Sequence, residues 1–166
     1  MNVIEKYTRS VNSSNLKDDE FHHGTDVLAA VALSSDVGSL FYRVKYANDA
    51  TSYAALLGKW RDIVTKKAAL RTWPSHISAA KVAEISLKHW LNDLCEPCGG
   101  RGVEAYRSGK QISDIACKVC GGSAKKGVVC DHRERDYIED MVSELDGYAF
   151  HAAGVAMRKL RQQMDF

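Results

Sequence analysis

Between residues 36 and 94 the apolar residues recur at intervals of three and four, which is the spacing of helices buried along one face. Ser35 and Asp36 look like a helix start leading into Leu40, Phe41, Val44 and Tyr46. After a further cap signal at Asn48-Asp49, the set Tyr53, Leu56, Leu57, Trp60, Ile63 and Val64 shares one helical stripe. Pro74 disfavours helix at Trp73, so this stretch must break there. Ser75 or Ser78 can cap the next helix, whose expected inward positions are Ala83, Leu87, Trp90 and Leu94. From 95 to 130 the periodicity stops and glycines accumulate, so this stretch cannot form a core of its own. Periodicity returns at Ile138, Met141, Val142 and Leu145. Asp146-Gly147 reads as a turn, and Ala149, Ala152, Ala153, Ala156 and Leu160 then form a final stripe. Residues 1–23 are polar and aperiodic and read as a flexible N-terminal arm; Thr25 could cap a short helix over 27–33.

The pattern predicts a mainly α protein in which residues 24–166 form a single helical domain. This is a helical bundle with a zinc-knuckle or ribbon insertion at about 95–130 and a helix-turn-helix at about 133–164. The length of 166 residues, with 45% hydrophobic and 27% charged, suits a globular chain of that size. No stretch reaches the run of about 20 apolar residues that a membrane helix needs, and the N-terminus lacks the pattern of a secretory signal. A cytoplasmic setting, without a membrane partner, is the expectation.

That setting changes how the cysteines are read, because paired cysteines in a reducing compartment point to metal rather than disulfides. The first pair is Cys95-Glu96-Pro97-Cys98-Gly99-Gly100-Arg101-Gly102; the second is Cys117-Lys118-Val119-Cys120-Gly121-Gly122-Ser123-Ala124. Two intervening residues let both thiolates of a pair face one ion, and the glycines allow the chain to fold back. Two such knuckles supply the four ligands of a structural zinc. Cys95, Cys98, Cys117 and Cys120 are therefore the candidate ligands of one Zn2+ ion, with Cys130 or His132 as rivals for one position. Four sulfurs would close the coordination shell, which argues against catalytic zinc. The sequence offers no phosphate-binding glycine loop, nucleophile elbow or paired catalytic carboxylates, so a non-enzyme is expected.

The net charge of +2 does not identify a partner, but its distribution is uneven. Lys59, Arg61, Lys66, Lys67 and Arg71 cluster against the single acid Asp62. Basic residues also gather on the last predicted helix, where Tyr148, His151, Arg158, Lys159 and Arg161 lie away from the alanine stripe. The stretch 133–164 can be read as a DNA-binding helix-turn-helix or as an amphipathic hairpin with a solvated basic face.

Gly24-Thr25-Asp26-Val27-Leu28-Ala29-Ala30, a helix leading into Cys95-x-x-Cys98-x-Gly100-x-Gly102, and a second CxxC before a helical segment together resemble the late-gene antitermination Q proteins of lambdoid bacteriophages. The likeness spans about residues 24–164. Ala124 departs from the glycine expected in the second knuckle; it supplies the same backbone amide, which leaves ligation intact while allowing the turn to differ. The resemblance implies an all-helical protein that binds a DNA element at the late promoter, loads onto RNA polymerase in the bacterial host cell, and lets it read through pauses and terminators. It implies zinc at the four cysteines and makes the 133–164 hairpin the DNA reader; Tyr148, His151, Arg158, Lys159 and Arg161 are the candidate contacts there by their helical position, not by a family residue motif. The basic face at 59–71 would then meet phosphates, nascent RNA or polymerase. Two protomers on one DNA site would fit helix-turn-helix habits, although the chain has no coiled-coil seam. The alternative reading is a zinc-knuckle adaptor or chaperone-like module that binds protein without DNA specificity.

Overall fold

In the computed structural model, residues 36–105 and 112–163 are described. The expectations for the arm, for the helix at 27–33 and for the Gly24–Ala30 motif fall outside them. Among the described residues four helices carry the fold: α1 Asp36–Tyr46, α2 Tyr53–Leu70, α3 Ala79–Leu91 and α4 Arg135–Gln163. Two short antiparallel strands, β1 Val103–Ala105 and β2 Ile112–Ala116, lie between α3 and α4.

The helix boundaries follow local chemistry. Before α2, Asp49 accepts hydrogen bonds from the amides of Thr51 and Ser52 and so satisfies donors of the leading 3₁₀ turn. At its other end the Trp73 amide reaches back to the Ala68 carbonyl while Thr72 adopts a positive φ of 50°, the geometry of a left-handed helix cap. Ser78 caps α3 by accepting from the Lys81 amide. Asn92, with φ −131° and ψ 64°, ends it.

The core gathers Phe41 from α1, Leu56, Trp60 and Val64 from α2, Val82, Leu87 and Trp90 from α3, and Ile138, Met141 and Leu145 from α4. Phe41 lies edge-on to Trp90 with centroids 5.3 Å apart, an arrangement that aligns ring edge and face favourably. The buried Trp60 indole donates to Ser86 Oγ at 3.1 Å, so a polar group inside the helix pair keeps a partner. α3 packs between α2 and α4, and α1 lies against α2 and α4.

Two expectations are corrected. Leu94 is 58% exposed rather than part of the α3 stripe, because the helix has ended and the chain is extended there. The turn expected at Asp146-Gly147, and with it the helix-turn-helix at 133–164, is absent. The chain runs through these residues as one 29-residue helix. Asp146 accepts from the Trp90 indole at 2.8 Å, and inward positions continue in register through Tyr148, Ala152 and Ala156. No helix among the described residues is long and apolar enough to cross a membrane.

Candidate metal centre

The glycine-rich segment after α3 is closed on itself by reciprocal pairing. At its base Leu94 and Lys125 form an antiparallel bridge, and the Lys126 amide donates to the Asp93 carbonyl at 2.8 Å. Further out, Val103 of β1 pairs with Ala116 of β2. Between these two pairings the knuckles are exchanged: the Cys117 amide donates to the Gly102 carbonyl at 2.8 Å, and the Cys95 amide donates to the Ala124 carbonyl at 2.9 Å. The last residue of each knuckle thus holds the first cysteine of the other.

This exchange brings Cys95, Cys98, Cys117 and Cys120 together, with all four sulfurs within 4.8 Å of one another. Cys95 and Cys117 sulfurs are 4.0 Å apart, and those of Cys98 and Cys120 are 3.8 Å apart. A tetrahedral ion with bonds of about 2.3 Å to sulfur requires edges of about 3.8 Å, which these two separations match. Cys95, Cys98 and Cys117 are buried and Cys120 is half-buried, which leaves the centre closed on most sides.

The backbone is arranged for thiolates. Burial pushes the Cys95 thiol up. At Cys98 burial is the largest single influence and opposes charge, but the Gly102 amide, 3.4 Å from its sulfur, together with the Gly100 amide and the neighbouring cysteine thiols holds the thiol below its ordinary value. At Cys120 burial again opposes charge most strongly, and the amides of Gly122 and Ala124 act with the Cys117 and Cys95 thiols to lower the thiol pKa. The thiolate is the form that binds metal, so these N–H groups favour ligation.

Ala124 adopts φ 63° where its counterpart Gly102 adopts 76°, so the second knuckle keeps the same left-handed turn despite the missing glycine. At Gly102 a Cβ would lie 2.6 Å from the Gly122 carbonyl oxygen, which makes glycine obligatory at that close approach. The rivals for a ligand position lie elsewhere. Cys130 packs against the main core, and His132 sits 3.0 Å from Asp131.

The sequence reading missed the way this module is attached to the bundle. Asp93, 6% exposed, is flanked by Lys125 at 3.1 Å and Lys45 at 3.5 Å. Burial opposes its charge, but the two lysines hold its carboxyl below the usual range. Lys45 also donates to the Trp90 carbonyl and sits 3.8 Å over the indole ring, while Lys125 reaches Asp146 of α4 at 3.5 Å. The network joins α1, the end of α3, the base of the module and α4. Its members are separated by dozens of residues, so no local pattern announces it.

The candidate DNA contacts whose side chains are described divide between packing and solvent. Tyr148 is half-buried, its ring packing 6.0 Å from Trp60 and 6.3 Å from Phe41. His151 and Arg158 are exposed on α4. Positions 159 and 161 are helical, but their side chains fall outside the described residues. In the basic face on α2 and just after it, Lys67 pairs with Glu144 at 2.7 Å, Arg71 with Asp140 and Glu144, and Arg61 with Glu84 at 3.3 Å. Much of that charge is therefore spent within the bundle, tying α2 to α3 and α4.

Set against protein-family models, curated proteins and solved structures, the chain matches none.

Proposed function

We propose that this chain is a non-catalytic, zinc-stapled transcription antitermination protein of the kind phages use for late genes, binding promoter-proximal DNA and RNA polymerase to allow read-through of pauses and terminators. The observation that carries the reading is the closed four-cysteine group, set between two helices of one bundle in the order that the Q proteins share. A tetrathiolate centre closes the coordination shell, so its role is to order a segment that has no core of its own. DNA is met through the basic C-terminal part of α4, where His151 and Arg158 are exposed and Lys159 and Arg161 follow in sequence. The reader is then one continuous helix rather than a helix-turn-helix.

Zinc-loaded protein is tested for binding to late-promoter DNA against scrambled competitor at two salt concentrations, followed by terminator read-through with bacterial RNA polymerase. The proposal expects specific retention that weakens steeply with salt, together with increased read-through. Equal retention of both DNAs without read-through would overturn it. A second reading, a protein-binding adaptor, is favoured by Leu94, Ile115 and Val119, which are large apolar residues left exposed on the zinc-binding segment. It expects DNA-independent capture of RNA polymerase or another protein, weakened by Val119→Ser.

A further inference from the structure

The outer face of α4 has features that the bundle does not explain. Glu139, Ser143, Gly147, Phe150, Gly154 and Arg158 follow one another at helical intervals along it, all exposed except the half-buried Gly154. Phe150 is 82% exposed, an unusual position for a large aromatic ring in the middle of a long helix. Gly147 lowers helix stability relative to alanine, yet a Cβ there would meet nothing within 4 Å. The helix is also polar in charge. On this face the exposed acids Asp136 and Glu139 lie toward its start and the exposed Arg158 toward its end, while Asp140, Glu144 and Asp146 already engage Arg71, Lys67 and Lys125 of the bundle.

We propose that this face is a self-docking surface on which the α4 helices of two copies of this chain pair antiparallel. The occupant is fixed by charge complementarity on the face itself, since an antiparallel copy sets Glu139 of each helix against Arg158 of the other. The register follows from the residues on the face. When Phe150 of one copy sits over Gly147 of its mate, Ser143 faces Gly154 and Glu139 faces Arg158, and the twofold axis repeats each contact. The ring fills the space above a residue without a side chain, which lets the two helices approach closely. Each Arg158–Glu139 pair then closes one end of the contact.

Pairing has a consequence that rests on the DNA-binding reading of the previous subsection, with Arg158 engaged by Glu139 of the mate and DNA left to the other basic residues of that helix end. At 1.5 Å per residue, the basic ends near residue 160 of the two copies lie about 35 Å apart, close to one turn of B-DNA. The dimer itself does not depend on that reading, so it is tested without DNA.

The experiment is sedimentation velocity of the zinc-loaded full chain with a reductant present, over about 1 to 100 µM, with wild type, Glu139→Arg, Arg158→Glu, the double swap and Phe150→Ala. The proposal expects a concentration-dependent dimer. Each single charge reversal and Phe150→Ala should weaken it about tenfold or more, and the double swap should return it to within about threefold of wild type. All the changed side chains are exposed, and circular dichroism checks that the variants keep their helix content. A wild-type monomer across the whole range would overturn the proposal, as would a dimer indifferent to the single reversals or one not restored by the double swap.

Discussion

Ala124 and Gly102 occupy equivalent places in the two knuckles and show how differently one backbone conformation can be tolerated. Both are left-handed, and the amides of both support a cysteine sulfur. An alanine in this region costs about 1–2 kcal/mol, part of which a glycine would return through the greater freedom of its unfolded chain. Ala124→Gly should therefore stabilise the zinc-loaded protein by about 0.5–1 kcal/mol in denaturant unfolding. Gly102→Ala, whose new methyl meets the Gly122 carbonyl, should instead destabilise it and weaken metal affinity. The grouping of the four cysteines was legible in the sequence because the two-residue spacing constrains the sulfurs directly. The similarity of the two turns was not, since nothing in an alanine announces a positive φ. The packing of Tyr148 was not legible for a related reason. Helical position places a residue on a face, but only packing decides that Phe41 and Trp60 claim its ring.

At the scale of elements, α4 carries the main correction. An Asp-Gly dipeptide is a strong local turn signal, but the apolar positions 138, 141, 145, 148, 152 and 156 keep their three-and-four spacing across it. The longer pattern prevailed because burying that stripe stabilises the helix more than one glycine weakens it. Gly147→Ala separates the two readings. In a continuous helix it should raise stability by about 0.5–1 kcal/mol, measured on dilute monomer, whereas at a left-handed turn it would lower it. Helices α1, α2 and α3 were legible in their stripes and caps, while Leu94 was misplaced because periodicity does not mark where a helix stops. The ion pairs between α2 and α4 yield a further prediction. The hydrogen bond from Lys67, aided by Arg71, keeps the Glu144 carboxyl below its ordinary value against the opposing effect of partial burial. A depressed folded pKa contributes stability above the unfolded value of about 4.3 and loses it as pH falls through the folded value. Glu144→Gln should lower the melting temperature slightly near neutral pH and narrow its difference from wild type below about pH 4, read by thermal melts across pH.

For the whole molecule, the four-cysteine module is an extension of the helical core rather than a separate appendage. Its base is paired at Leu94 and Lys125, and Lys125 continues through Asp93 and Asp146 to Lys45, Trp90 and α4. The sequence showed that the segment 95–130 needs an external source of order. It did not show that the same segment helps to fix α3 against α4, because that link joins residues far apart in the chain. If the metal supplies folding free energy, its loss should loosen the module and the helices it joins together. The most direct test of this account is the metal content and thiol reactivity of purified protein, followed through chelation. The account predicts one zinc ion per chain, four of the five thiols protected from a thiol reagent while the ion is bound, and release of that protection in step with zinc. Protein that carries no zinc after purification in its presence, or four thiols that react freely with zinc bound, would contradict it.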